Sequence, residues 1–387
     1  MQTPYEPFRA NTSNESLALS LRDNKALQLS FTLEVHQALR RGVNIPKTSR
    51  YNEYLSLTFF SDRCQELGLS LPIRERRLCA FAQVQLLEAL EILHWLTGAK
   101  WQRSIESLFS GTAMPHRTKN ASPYSLQAEL YLAAAFSARR FRVAQQEPDL
   151  VIYANGWPVA FAVKRVSAAG KVNRRISEAI NQIQSQKMVG IVVLFVGDIA
   201  TPREKFIFSP TLQEAMSAAD AVTSSVLQPA YSILKEAATS PHILGIWAIG
   251  NCATAVSNFG ITFQRVDSRY FLPLIGASDP RVPKLMTLVS AFSDAHQWRA
   301  LQYWNDWLND GREWHRADYS LFEVAHNHCE QNWNSTRFSD DRVKALVKDM
   351  PVGTTTFEVP AKAARQWVPD FVAQLGWHRL AGGGGLR

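Results

Sequence analysis

The chain reads as an α/β protein, with an α-β-β-β-α-β core flanked by helical N- and C-terminal regions. Three observations predict this. First, three short β-rich runs follow one another: RFRVAQQ (140–146), PDLVIYANG (148–156) and WPVAFAVKR (157–165). Asn155-Gly156 separates the second from the third, and Asn-Gly between two such runs is a strong hairpin signal. Second, VGIVVLFVG (189–197) is apolar almost throughout, the texture of a strand buried on both faces of a sheet. Third, helical patterns lie before the hairpin and between it and that strand, the alternation of an α/β layer architecture.

The elements follow in order. Residues 15–110 have helical texture. RERRLCAFAQVQLLEALEILHWL (74–96) is apolar on most of its circumference, which predicts a buried helix. The stretch SGTAMPHRTKNASP (110–123) is polar and contains Pro and Gly, so it reads as a linker closing an N-terminal region, 1–122. Ser122-Pro123 is a helix start signal for the Ala-rich SLQAELYLAAAFSARR (125–140). After the hairpin, SAAGKVNRR is a basic loop. ISEAINQIQSQKM (176–188) is an amphipathic helix with Ile176, Ile180 and Ile183 on its apolar edge. These elements define a core region, 123–207. Residues 208–387 read as mainly helical, with TLQEAMSAADAVTSSVLQPAYSILKEAA (211–238) and HQWRALQYWNDWLNDG (296–311) as examples. The end, AGGGGLR, has the composition of a flexible tail.

Composition narrows the function classes. The 387 residues are 46% hydrophobic and 20% charged, which excludes a disordered chain, a collagen-like fibre and a disulfide-stapled scaffold. The net charge of +8 is unevenly placed. Residues 123–207 carry 11 basic and 6 acidic side chains, residues 1–122 carry 15 and 11, and residues 208–387 carry 16 and 17. The densest positive block is therefore the α/β core, and a polyanionic partner is expected there. Cys64, Cys79, Cys252 and Cys329 form no C-x-x-C pair, which reads as reduced thiols and a cytoplasmic location. The N-terminus has no apolar leader, and the apolar runs at 189–197 and 242–256 are too short or too polar to span a bilayer, so no membrane association is expected. Neither G-x-G-x-x-G nor G-x-x-x-x-G-K-[ST] occurs, and G-x-S-x-G is absent too. An autonomous ATPase, a dinucleotide enzyme and a hydrolase of the nucleophile-elbow type are disfavoured. The HNHC cluster (326–329) lacks a second spaced pair and is a poor zinc site. Trp304, Trp307 and Trp314 share one helical face. With acidic neighbours, they fit a core or a protein contact better than base stacking.

The core concentrates chemistry-bearing residues. Glu129 lies on the first helix, Asp149 opens the second strand and Lys164 ends the third. Glu178 and Gln182 lie one turn apart on the following helix. The tight hairpin lets Asp149 and Lys164 meet at one end. Two carboxylates and a lysine are what metal-assisted phosphodiester hydrolysis needs. The acids hold Mg²⁺ (or Mn²⁺), and the ammonium orients or polarises the attacking water. Lys171, Arg174 and Arg175 in the basic loop could clamp flanking phosphates.

With Pro148-Asp149 followed by Ala162-Val163-Lys164 in this element order, the core resembles the PD-(D/E)XK superfamily of restriction-endonuclease-like nucleases. PDLVIYANGWPVAFAVKR is similar to the nuclease segments of restriction and anti-phage defence proteins. The resemblance covers about 123–207. It implies a metal-dependent endonuclease acting on DNA more than RNA, with Asp149, Glu129 and Glu178 toward the metal, Lys164 toward the water and Gln182 assisting. A protein partner or homo-oligomer is expected through the helical regions. The sequence departs from the family at Ala162, where an Asp or Glu is the rule. Three accounts stand side by side. One is a glutamate replaced by alanine to inactivate the enzyme. Another is migration of the carboxylate to Glu178, separated from Lys164 by thirteen residues as in some superfamily members. The third is natural loss of activity, leaving a nucleic-acid-binding module. An RNase on the same fold is a further alternative.

Overall fold

The computed structural model describes residues 21–46, 49–69, 73–110, 122–197, 207–256 and 262–293, with Ala300, Tyr303, Trp304, Asp341 and Lys344. The HNHC cluster, Cys329, Trp307, Trp314 and the glycine-rich end lie outside the described residues. The chain divides into two units, one on Leu19–Gln127 with residues from Trp298 onward, the other on Ala128–Gln297.

The first unit is helical, as the sequence predicts. It contains α1 (Leu21–Arg40), α2 (Arg50–Glu66), α3 (Ile73–Trp95) and α4 (Gln102–Leu108). Its core is formed by Leu27, Phe31, Tyr51, Tyr54, Leu86, Leu90 and Phe109, all buried. Ser49 caps α2, its hydroxyl accepting from the Tyr51 amide at 3.3 Å. Arg50, the next residue, is 1% exposed. Its Nη2 donates to Gln127 Oε1 at 2.6 Å and to the Tyr51 hydroxyl at 3.2 Å. The guanidinium lies 4.4 Å from the Tyr124 ring centre and 5.1 Å from that of Tyr51. Two further polar knots tie the helices. Gln28 donates to Asp62 Oδ2 at 2.7 Å, and His94 Nδ1 lies 2.6 Å from Glu34 Oε1, which also accepts from Trp304 Nε1 at 3.1 Å.

The second unit is built on a mixed seven-stranded sheet. Its elements are the latter part of α5 (Ser122–Ala138), β1 (Arg142–Gln146), β2 (Asp149–Ala154), β3 (Trp157–Arg165), α6 (Val172–Ser185) and β4 (Gly190–Phe195). They are followed by β5 (Ile207–Ser209), α7 (Leu212–Ser225), α8 (Tyr231–Ala237), β6 (Ile243–Val256), β7 (Thr262–Pro273) and α9 (Val282–Ser293). The α-β-β-β-α-β order expected for 123–207 is present. The two-residue β2–β3 turn places both Asn155 (φ 50°) and Gly156 (φ 79°) at positive φ, the backbone an Asn-Gly hairpin turn requires. β1, β2 and β3 are antiparallel, and β3, β4 and β6 are parallel. β4 is buried at every position, as its apolar run predicts.

The expectation of a mainly helical 208–387 needs correction. β6 and β7, of 14 and 12 residues, form a long antiparallel pair that extends the sheet well past residue 207. The run HILGIWAIGNCATAV is long because β6 has three partners. Its first half lies between β4 and β7, and its second half between β5 and β7. Residues 243–250 are buried at every position, so no polar face alternates there and the period-2 signal is missing.

Helices cover both sheet faces. On one, Ala162, Val192, Leu194, Ile246 and Ala248 pack with Ile176, Ala179 and Ile183 of α6 and Leu234 of α8. On the other, Phe161 and Trp247 meet Phe136 of α5 and Phe292 of α9 through ring contacts of 4.7–6.4 Å. At the start of β4, a Cβ on Gly190 would come within 2.6 Å of the Ala160 carbonyl oxygen and 3.0 Å of the Ile183 side chain. Only glycine lets α6 lie this close to the sheet.

Candidate active site

β2 and β3 run antiparallel with Leu150 opposite Phe161, so Asp149 stands beside the Ala162–Lys164 stretch. Strand alternation puts Ala162 and Lys164 on the same face. Lys164 Nζ donates to Asp149 Oδ2 at 2.9 Å, and the Val163 amide donates to the same oxygen at 2.7 Å. The pair is largely withdrawn from water, with side chains 13% and 15% exposed. Burial raises the Asp149 carboxyl above the usual range, against the opposing pull of Lys164 and the Val163 amide. The structure thus brings Asp149 and Lys164 together, as the hairpin predicts.

Glu129 on α5 belongs to the same neighbourhood. Burial pushes its carboxyl up to about 7. The Asp149 charge adds to this and Lys164 opposes it. Two carboxyls are therefore held near one ammonium in a poorly solvated site. The rise at both acids comes first from burial, and at Glu129 the Asp149 charge adds to it. Mg²⁺ is commonly bound through one or two carboxylates, with waters and substrate phosphates completing its shell. Asp149 and Glu129 offer the carboxylate donors that such an ion takes.

Ala162 is fully buried within the apolar cluster against α6 and offers no ligand. Glu178 is engaged elsewhere, with Arg175 Nη1 at 2.7 Å from its Oε2 and Arg174 Nε at 3.3 Å from its Oε1. Among the described residues no group of three or more His, Cys, Asp or Glu side chains converges, so Glu178 does not join Asp149 and Glu129 in a three-acid cluster. Gln182 lies one turn further along α6, and its Oε1 is buried without a hydrogen-bond partner. Lys171 and Arg174 are exposed at the start of α6, Arg174 with 62% of its side chain open.

The topology explains the grouping. β3 runs toward Lys164 and α6 returns antiparallel to it, so the first turn of α6 stands at the sheet edge formed by the strand ends, where Asp149 and Lys164 meet. Sequence reasoning did not anticipate the Val163 amide, because a backbone donor leaves no mark in residue identity. No protein-family model, curated protein or solved structure matches the chain.

Proposed function

We propose that the chain is a metal-dependent nuclease of the PD-(D/E)XK type that hydrolyses DNA phosphodiester bonds, in prokaryotic restriction or phage defence. The observation that supports this most is the 2.9 Å Lys164–Asp149 contact at the sheet edge, with the Glu129 carboxyl close enough to be raised by Asp149. Asp149 and Glu129 would hold Mg²⁺ or Mn²⁺. When bound, the ion lowers the pKa of an attacking water and offsets charge developing on the phosphate. Lys164 orients that water and places a positive charge beside the reacting phosphoryl oxygens. The Val163 amide fixes the Asp149 carboxylate in one orientation. Lys171, Arg174 and Arg175 hold flanking phosphates, and such contacts position the backbone without reading sequence.

A second reading is a nucleic-acid-binding module without catalysis. It is favoured by Ala162, which leaves the motif short of one ligand, and by the Lys164 and Val163 donors, which already satisfy one Asp149 oxygen. The two readings separate in a Mg²⁺/Mn²⁺-dependent cleavage assay on the chain and on Ala162→Glu, with DNA and RNA substrates. Cleavage by either form that is lost in Lys164→Ala supports the nuclease. Cleavage only in Ala162→Glu identifies the missing carboxylate. Cleavage by the chain as it stands, lost in Glu178→Ala, supports carboxylate migration. Silence in both forms with retained salt-sensitive binding supports the module, and preferential cleavage of RNA makes the enzyme an RNase.

A further inference from the structure

Two large hydrophobic side chains are exposed among the described residues, and one of them, Tyr231, is 68% open to solvent. Its place in the fold is informative. α8 precedes β6, which is parallel to β4 and β3, so α8 runs antiparallel to these strands. Its first residue, Tyr231, therefore stands at the sheet edge that carries Asp149, Lys164 and the first turn of α6. A direct contact ties the two helix starts together, since Asn173 Nδ2 of α6 donates to the Pro229 carbonyl at 3.4 Å, two residues before Tyr231. Exposed Lys171 and Arg174 flank Asn173 on one side, and exposed Lys235 lies one turn after Tyr231 on the other. Glu178 and Glu236 only partly offset these charges.

The exposed phenol ring stands beside cations, with the proposed phosphodiester site at the same edge. Basic groups that follow a phosphate backbone, interleaved with an aromatic ring, are the surface that single-stranded nucleic acids use. Every base has a π-face, and in a single strand that face is accessible. In a duplex the faces are stacked inside and a surface tyrosine cannot reach them.

We propose that Tyr231 is a base-stacking platform and that the site therefore takes a single strand, or the splayed end of a duplex, in preference to continuous double helix. This inference rests on the nuclease reading of the Asp149–Lys164 site and specifies its substrate. Lys171 and Arg174 would hold phosphates while Tyr231 stacks a nearby base.

The test is fluorescence anisotropy with the full chain, in EDTA so that no cleavage intervenes. The probes are a labelled single-stranded oligodeoxynucleotide and the blunt duplex of the same sequence. The wild type should bind the single strand more tightly than the duplex. Tyr231→Ala should weaken single-strand binding roughly tenfold, leaving duplex binding and the melting temperature unchanged. Tyr231→Phe, which keeps the ring, should bind as the wild type does. Unchanged single-strand affinity in Tyr231→Ala, or an equal loss in Tyr231→Phe, overturns the stacking role. A duplex preference in the wild type overturns the substrate assignment. In all of these cases the nuclease reading is judged separately, by metal-dependent cleavage that is lost in Lys164→Ala. Failure of the wild type to bind either probe overturns the inference, and the nuclease reading falls only if the Mg²⁺/Mn²⁺ cleavage assay is also silent in the chain and in Ala162→Glu.

Discussion

Replacing Glu129 by glutamine should make the protein more stable at pH 8. The carboxyl lies between burial and the Asp149 charge and reaches about 7 in the folded state, against about 4.5 when exposed. That gap corresponds to about 3 kcal/mol. The folded state keeps a proton that the unfolded chain releases between pH 4.5 and 7, so this group lowers stability as pH rises through that window. Above pH 7 the loss is complete, and Glu129→Gln removes it. The variant should therefore gain up to about 3 kcal/mol at pH 8, or roughly 6–12 °C in melting temperature for a unit of this size. At pH 4 it should match the wild type. Urea unfolding and thermal melts at pH 4, 6 and 8 in EDTA measure this. Asp62 and Glu91, buried in the helical unit and also raised to about 7, contribute a pH slope of their own that is common to both proteins, so the difference isolates Glu129. An equal or lower melting temperature for the variant at pH 8 would refute the electrostatic account of the site. So would an unchanged difference between pH 4 and pH 8. In the cleavage assay the same variant should lose metal-dependent activity, since a destabilised carboxyl pair is the feature that recruits the cation.

Lys164→Met should act in the opposite direction, removing the cation from Asp149 and lowering stability by about 3 kcal/mol at pH 8. The loss should shrink as pH falls and Asp149, its carboxyl raised by burial, takes up a proton and needs no cation, and urea titrations at pH 8 and at falling pH check this. Arg50→Met should change stability by no more than about 1 kcal/mol, because among the described residues the buried guanidinium has no carboxylate within ion-pairing distance and Gln127 Oε1 keeps its bond from the Tyr51 hydroxyl at 3.1 Å. Arg50→Ala should cost about 3 kcal/mol by leaving a cavity among Tyr51, Tyr54 and Tyr124. Chemical denaturation of both variants separates the charge from the volume.

Much of the core was legible because its signals are local. Asn155-Gly156 fixed the hairpin and its register, and the hairpin then brought Asp149 to Lys164 without long-range information. The apolar β4 and the Ile176, Ile180 and Ile183 edge of α6 were legible for the same reason. β6 and β7 were not. Their length comes from partners distant in sequence, and an apolar run of that size carries no periodicity to separate strand from helix. At the site, side-chain geometry was needed to show that Glu178, expected toward the metal, is held by Arg175 three residues away. Tyr231 looked ordinary within a helical stretch. Its meaning comes only from the strand order that brings the start of α8 to the edge carrying Lys164.

Gly190 makes α6 a lever. The helix packs on the sheet along its length, through Val172, Ile176 and Ile183, and its C-terminal end is seated by the close approach of Ile183 to this residue, while its basic groups ride at the other end. Fourteen residues span about 20 Å, so a tilt of about five degrees at the seated end swings Lys171 and Arg174 by nearly 2 Å, and displacements of that size can cost about a hundredfold in rate. A methyl group at position 190 would thus be felt farthest from where it is added. The chain could keep its sheet, its hairpin and its Asp149–Lys164 pair and still present the substrate backbone out of line.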